Sequence, residues 1–245
     1  MQKFYSAFLA LIAILFSFYS NCQTNPVPQL LPYSQNFEIL PHNVIVYPAG
    51  WQGWTIGTSN TATFRTNAPT ANRDMVASGS AGNNSGNVYN YNSKIGFLTT
   101  GSLDLAIALA IDGTNSSNIT VSYSAMTIRN PYDGGSNTRM NEMILQYRIG
   151  TTGIFSNLAS TEYQNNIVLQ TSTGITTPQN VQAKTIALPS SCNNQPIIQL
   201  RWVNRDVSGF GSRPSFAIDD ISIESSIVVS ETVSVLAINN AAEPD

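Results

Sequence analysis

Alternation is the feature that most constrains what this 245-residue chain can fold into. In NITVSYSAM, Ile119, Val121, Tyr123 and Ala125 fall on one side and Thr120, Ser122 and Ser124 on the other, the period of two that a half-buried β-strand requires. MILQYRIG repeats it, with Met143, Leu145, Tyr147 and Ile149 inward and Gln146 and Arg148 outward. PIIQLRWVN sets Ile198, Leu200 and Trp202 against Gln199 and Arg201. Further strands are expected at 33–40, 54–56, 88–98, 181–188 and 216–223, between clusters of Gly, Asn, Ser and Pro. No stretch carries the 3.6-residue period of an amphipathic helix. Many short alternating strands joined by long polar connections predict an all-β fold, an antiparallel β-sandwich of the jelly-roll type.

The two ends read differently from the middle. MQKFYSAFLALIAILFSFYSNCQ places Lys3 before an apolar run at 7–18, followed by the small residues Ser20 and Cys22. That is the pattern of a secretory signal peptide, and the run is too short to span a membrane. Residues 1–22 are therefore expected to be a signal peptide and 23–226 the sandwich domain. Residues 227–245 read as a linker or the start of a following module. Lipid anchoring at Cys22 is the rival for the N-terminus, but it asks for a small residue where Asn21 stands. The expected location is secreted or at the cell surface.

Charged residues are 10% of the chain, against about 25% in an ordinary soluble protein. Eleven basic and fourteen acidic residues without a basic cluster exclude a nucleic-acid surface, which needs a concentrated positive face. A surface rich in amides and hydroxyls suits neutral polar ligands such as glycans, and equally suits the extracellular medium. Cys22 falls at the cleavage site and leaves Cys192 alone, so no internal disulfide is expected.

Catalytic chemistry finds little to work with. His42 is the single histidine and sits in a Pro-flanked loop, and Cys192 has no histidine near it in sequence. Zinc would need His and Cys clusters that the chain lacks. Glu142, Glu162, Asp133 and Asp206 lie near loops with nothing pairing them for glycoside hydrolysis. The chain is not expected to be an enzyme.

Binding is better supplied. The loops at 78–87, 112–118, 130–139 and 206–214 are long and polar, and loops on a rigid sandwich are where binding usually resides. In NVYNYNSK, Tyr89 and Tyr91 share one strand face; with Trp51, Trp54 and the loop residue Tyr132 they could stack on the apolar face of a sugar while Asp133 takes a hydroxyl. The competing reading places these rings in the core.

Several stretches together resemble a known family. The QNFE opening, PAGWQGWTIG, the strand pair KIGFLTTGSLDLA and the closing GSRPSFAIDDISI resemble the cleaved-adhesin and choice-of-anchor group of secreted jelly-roll domains, relatives of MAM domains and of jelly-roll carbohydrate-binding modules. The likeness runs over 33–224. It implies a non-catalytic adhesin-like or accessory module of gliding-type Gram-negative bacteria. It also implies a structural calcium ion where the first strand meets the last, on Glu38 and on Asp219 or Asp220. Independently of the family, a half-buried carboxylate is costly unless paired or metal-bound, and calcium takes several oxygen ligands. Strand alternation lets only one of the two aspartates point inward. Asp219 is the favoured one, on the face of Ala217 and Ile221. The other explanation has that Asp capping backbone amides or pairing with Arg201, Arg205 or Arg213.

Three functions follow as expectations. The first is an extracellular module that binds a glycan or a surface polymer. The second is a ligand-free accessory domain of a larger secreted protease, nuclease or glycosidase. The third is homotypic adhesion through edge strands, which few lysines protect.

Overall fold

The computed structural model describes residues 24–41, 43–77, 85–165, 167–168 and 178–227. The expectations for the signal peptide, Cys22, His42, most of the 78–87 loop and the 228–245 tail lie outside the described residues.

Among the described residues, fifteen strands make two sheets. They are β1 (Gln29–Leu30), β2 (Tyr33–Gln35), β3 (Trp51–Gly57), β4 (Ala71–Arg73), β5 (Met75–Ala77), β6 (Asn87–Asn90), β7 (Ile95–Leu98) and β8 (Asp104–Asp112), followed by β9 (Ser116–Thr127), β10 (Met140–Ile149), β11 (Ser156–Asn157), β12 (Tyr163–Gln164), β13 (Gln179–Ala187), β14 (Ile198–Ser208) and β15 (Phe216–Ile227). The first sheet runs β11, β10, β14, β8, β3, β4, with β1 beside β8 and β12 beside β10. The second runs β13, β9, β15, β7, β6, β5, with β2 beside β15. Only β1 with β8 and β5 with β6 are parallel among these pairings. Both β1 to β2 and β4 to β5 step from one sheet to the other within a few residues, which ties the layers together at their edges. Among the described residues no helix is long and apolar enough to cross a membrane.

The alternating strands behave as their sequences require. Ile119, Val121, Tyr123 and Ala125 of β9 meet Met143 and Leu145 of β10, Ile198, Leu200 and Trp202 of β14, and Phe216 and Ile218 of β15 in one core between the sheets. Ile149, expected inward, ends its strand 40% exposed. The stretch expected as one strand at 33–40 stops at Gln35, where Phe37 turns the chain through a left-handed φ of 53°. The stretch at 88–98 divides into a hairpin, with Asn92 and Ser93 both left-handed and Tyr91 N–H bonded to Lys94 O at 2.8 Å.

One central strand escapes the alternation rule. DLAIALAID forms β8, in which Leu105, Ile107, Leu109 and Ile111 enter the main core while Ala106 and Ala108 face outward. That outer face is also buried, under Trp54, Ile56, Phe64, Ile144, Phe155 and Val203. Small alanines let the cover close down on the sheet.

The same cover buries polar side chains expected to face water. Gln146, Gln199 and Arg201 have no exposed surface and Arg148 has 3%. Arg201 donates to Gln146 Oε1 at 2.7 Å, to Asn67 O at 2.9 Å and to Arg65 O at 2.8 Å. Arg148 donates to Gln199 Oε1 and Gly153 O. Both guanidiniums lie on the ring of Phe155, at 3.7 and 4.4 Å from its centroid. Burial lowers the pKa of Arg201 to about 9, helped by the like charge of Arg148. Both groups thus stay charged at neutral pH.

Candidate functional site

The rings expected to stack on a sugar are core residues. Trp51 is 4% exposed and stacks on Trp202 with centroids 5.6 Å apart, its indole N–H bonded to Tyr33 Oη at 2.8 Å. Trp54 is fully buried against Phe155. Tyr89 and Tyr91 do share a face, but it is covered; their rings pack together at 5.2 Å among Leu98, Met126, Ile128 and Ala217. None of these four rings offers a face to a ligand: Trp51 lies in the core between the sheets, and Trp54, Tyr89 and Tyr91 lie in apolar clusters on the outer sides of the two sheets.

Tyr132 and Asp133 lie elsewhere, on the 130–139 loop, half-buried and exposed respectively. Asp133 is occupied by its own turn. Its carboxylate accepts from Ser136 Oγ at 2.5 Å, Asn137 N at 2.7 Å and Gly135 N at 2.8 Å, and these bonds hold it below the usual carboxylate range. Its chemistry is that of a loop clamp.

That clamp serves a joint between the 130–139 and 206–214 loops. Thr138 N–H bonds Phe210 O at 3.0 Å, and Asn137 Nδ2 donates to Ser212 O at 3.1 Å. Gly209 adopts φ of +77°, and a Cβ there would lie 1.9 Å from Thr138 O, so only glycine lets the loops approach this closely. Ile128 N and Ser215 O, then Ser215 N and Arg129 O, continue the contact as a short ladder, each at 3.0 Å. Arg129 N bonds Ser215 Oγ, and Arg129 Nη1 bonds Arg213 O.

Beside this joint lies a pocket of about 150 Å³ lined by Leu98, Thr99, Thr100, Arg129, Ser212 and Arg213. Asp206 sits behind it. Its Oδ2 receives Arg213 Nη2 at 2.6 Å and Arg139 Nη1 at 3.4 Å, while its buried Oδ1 and the buried Nε atoms of Arg213 and Arg139 have no hydrogen-bond partner. Burial lowers the pKa of Arg129. The ring of Phe210, on the loop of Ser212 and Arg213, is 58% exposed. Sequence reasoning pointed to these loops but not to this pocket, since Arg129 and Arg213 are 84 residues apart.

The AIDDI segment forms a second, acidic locality. β15 pairs Asp219 with Ser124 and Ser222 with Ser122, so Asp220 and Ile221 together oppose Tyr123 in a β-bulge. Asp220 takes φ of +51°. The bulge shifts the alternation by one, so Ile218 and Ile221 both enter the main core. Ala217 lies in the outer cluster, and Asp219 shares its face. This corrects the expected sharing of one face by Ala217, Asp219 and Ile221, and with it the expectation that one carboxylate points into the core. Arg205 pairs with Glu142 and Arg213 with Asp206, while Arg201 bonds an amide and two carbonyls, so none of the three serves these aspartates.

Asp219 Oδ1 accepts from Asp220 N at 2.9 Å, and Asp220 Oδ2 accepts from Ser124 Oγ at 3.1 Å. Burial raises the pKa of Asp219 to about 6; the negative charges of Asp220 and Glu38 add to the rise, and the amide of Asp220 and the charge of Lys94 oppose it. Glu38 reaches this neighbourhood through the turn after β2. There Phe37 N bonds Gln35 Oε1, Glu38 N bonds Asn36 Oδ1, and the buried Phe37 ring anchors the turn on Trp51. A pocket beside Asp220 is lined by Ser34, Gln35, Asn36, Asp220 and Ile221. The carboxylates of Asp219, Asp220 and Glu38 bring oxygen ligands and more negative charge than Lys94 alone offsets, which fits a hard cation. Among the described residues no three His, Cys, Asp or Glu side chains converge on one point. A calcium ion would therefore draw its remaining ligands from amide and backbone oxygens.

Cys192 is fully buried in the main core, and burial raises its thiol pKa to about 11, leaving no reactive thiolate.

The sequence matches no protein-family model and no curated protein. Among solved structures the chain is similar to the K1 cleaved adhesin domain of Lys-gingipain from Porphyromonas gingivalis W83, with 17% identity, TM-score 0.41, and coverage of 79% of this chain and 98% of that one. The K3 domain of the same protein gives 16%, 0.39, 79% and 98%. A family 11 carbohydrate-binding module from Clostridium thermocellum, solved with a mixed-linked tetrasaccharide, gives 11%, 0.34, 74% and 92%. At these identities and scores no role is carried across from them. These domains are of the two kinds that the QNFE, PAGWQGWTIG and AIDDI motifs resemble: cleaved adhesins and jelly-roll carbohydrate-binding modules.

Proposed function

We propose that this chain is a non-catalytic extracellular binding module that recognises a glycan or surface polymer with its loop end, and that calcium is a structural ion at the junction of β2 and β15. The reading is carried by the joint between the 130–139 and 206–214 loops. Two long connections are costly to order unless something is gained by it, and here they are locked together beside a pocket of hydroxyls and guanidiniums, with the ring of Phe210 exposed on one of them. Preorganised polar groups beside an apolar ring are what a sugar needs, hydrogen bonds for its hydroxyls and a face for its C–H groups. For the ion, Asp219 and Glu38 would supply carboxylate oxygens and so fasten the first strand of the second sheet to its last.

Retention on a panel of immobilised polysaccharides tests the binding reading. Wild-type protein should be retarded on at least one polymer. Phe210→Ala should weaken that retention roughly tenfold, equivalent to about 1.4 kcal/mol, with an unchanged melting curve because the ring is largely exposed. No retention on any polymer would overturn the proposal and leave a ligand-free accessory domain.

A further inference from the structure

The chain carries more acidic than basic residues, yet its loop end is locally the reverse. Arg139 and Arg213 share the carboxylate of Asp206, and Arg129, bonded to the backbone of Arg213, adds a third guanidinium. Asp133, the next nearest acid on these loops, is spent on Ser136 and two amides. The pocket wall itself has two guanidiniums, the hydroxyls of Thr100 and Ser212 and no carboxylate; the third hydroxyl, of Thr99, is buried on Asn60 and Asn204.

Size narrows what could enter. Ligand pockets that engulf drug-sized molecules are roughly 300–1,000 Å³. The 150 Å³ here is about half the lower end of that range, a size that suits a small oxyanion better than a whole sugar. Guanidiniums flanked by hydroxyl donors match the planar or tetrahedral oxygens of a carboxylate or sulfate. Gly101 lies beside the guanidinium of Arg213. It is exposed, and a Cβ placed on it would meet only Arg213 Nη1, at 3.6 Å.

We infer that this pocket binds the acidic substituent of an anionic polysaccharide, a carboxylate or sulfate held by Arg129 and Arg213 while the sugar ring stays outside. The inference rests on the glycan-binding reading and sharpens it to acidic polymers. An oxyanion here offsets the excess positive charge that Asp206 alone leaves uncompensated, and attraction to it weakens as salt screens the charges.

Affinity electrophoresis of the whole chain through matched gels tests this. One pair contains polygalacturonate or its methyl ester, the other dextran sulfate or dextran, so that carboxylate and sulfate are read separately. Retardation by the charged member of at least one pair, roughly tenfold or more above its neutral partner and reduced by added salt, is the expected result. Arg129→Gln should remove that difference. Arg213 also anchors Asp206, so the pocket is tested from its other side by Gly101→Asp, which sets a carboxylate against Arg213 without touching the fold. It should abolish the preference for charged polymers while the melting curve stays in place. Equal retardation by charged and neutral members would overturn this inference and leave glycan binding standing. A charge preference that survives both variants would overturn the assignment to this pocket. No retardation by any of the four polymers, nor by the wider panel, would overturn both readings.

Discussion

Arg201 on β14 and Asp219 with Asp220 on β15 are charged residues inside strands, and the two sheets accommodate them by opposite means. In the first sheet the strand stays regular and loops close over it; the guanidinium loses all contact with water and takes three neutral acceptors instead. In the second the strand itself gives way. A bulge turns Asp220 outward through a left-handed φ and leaves Asp219 half-exposed beside further negative charge. A buried charge is tolerable when hydrogen bonds replace water. Arg201 is satisfied within the fold, whereas Asp219 stands beside the like charges of Asp220 and Glu38, opposed by Lys94. The difference separates a structural charge from a candidate functional one.

The largest expected effect breaks the first half of that contrast. Arg201→Ala leaves Gln146 Oε1 and Asn67 O without their donors and opens a void against Phe155, whereas Arg65 O keeps Gln146 Nε2 at 3.0 Å. Losses of this kind cost about 3–5 kcal/mol, which for a domain of this size lowers the melting midpoint by roughly 6 to 20 °C. Arg201→Met, which keeps the packing on Phe155, should lose less. A shift under 2 °C for the alanine variant would show that this guanidinium is not held as its bonds imply.

Legibility in the sequence divides along the same line. Strands with one wet and one dry face, β9 above all, are written plainly in their period of two. β8 is not, because both of its faces are covered and its leucines and isoleucines are separated by alanines rather than by polar residues. For the same reason Gln199 and Arg201 read as solvent-facing; nothing local in PIIQLRWVN announces loops that arrive from residues 65–67 and 153–155. The aromatic candidates failed similarly, since Tyr89 and Tyr91 share a face that a second apolar cluster then hides. The AIDDI motif was conspicuous, but the bulge that explains it depends on pairing with β9, which alternation within β15 alone cannot show. The Arg129 and Arg213 pocket is a product of tertiary contact between remote loops.

Calcium tests the second half of the contrast with an intermediate effect. An ion that binds only the folded state, present at a hundred times its dissociation constant, stabilises by about 2.7 kcal/mol, or roughly 5 to 11 °C here. Thermal melts in chelator and in millimolar calcium should differ by that amount at neutral pH. Glu38→Gln should shrink the difference with little change in the chelated melt, because Glu38 is exposed. Superimposable wild-type curves would mean that the carboxylates are satisfied without an ion, by Asp220 N–H, Ser124, the charge of Lys94 and water.

The smallest effect, and the sharpest on the role of Asp219, is a pH dependence of opposite sign with and without the ion. The folded-state pKa of Asp219, about 6, lies above its ordinary 3.8, first through burial and then through its acidic neighbours. A raised acid stabilises the fold while it stays protonated. In chelator its contribution is therefore complete below 3.8 and is lost as pH rises through about 6. Asp219→Asn, which has no proton to lose, should show no such decline and should equal or exceed wild type in chelator at pH 7. Calcium reverses the ranking. The ion requires the ionised carboxylate, so its stabilisation of wild type should grow across the same interval, and Asp219→Asn should miss most of it. Asp220→Asn gives the comparison, since Asp220 is exposed and bonded to Ser124. It should retain the decline in chelator, reduced by the loss of one neighbouring charge. If Asp219→Asn and Asp220→Asn gave the same pair of pH profiles, the distinction that the bulge draws between the two aspartates would be wrong.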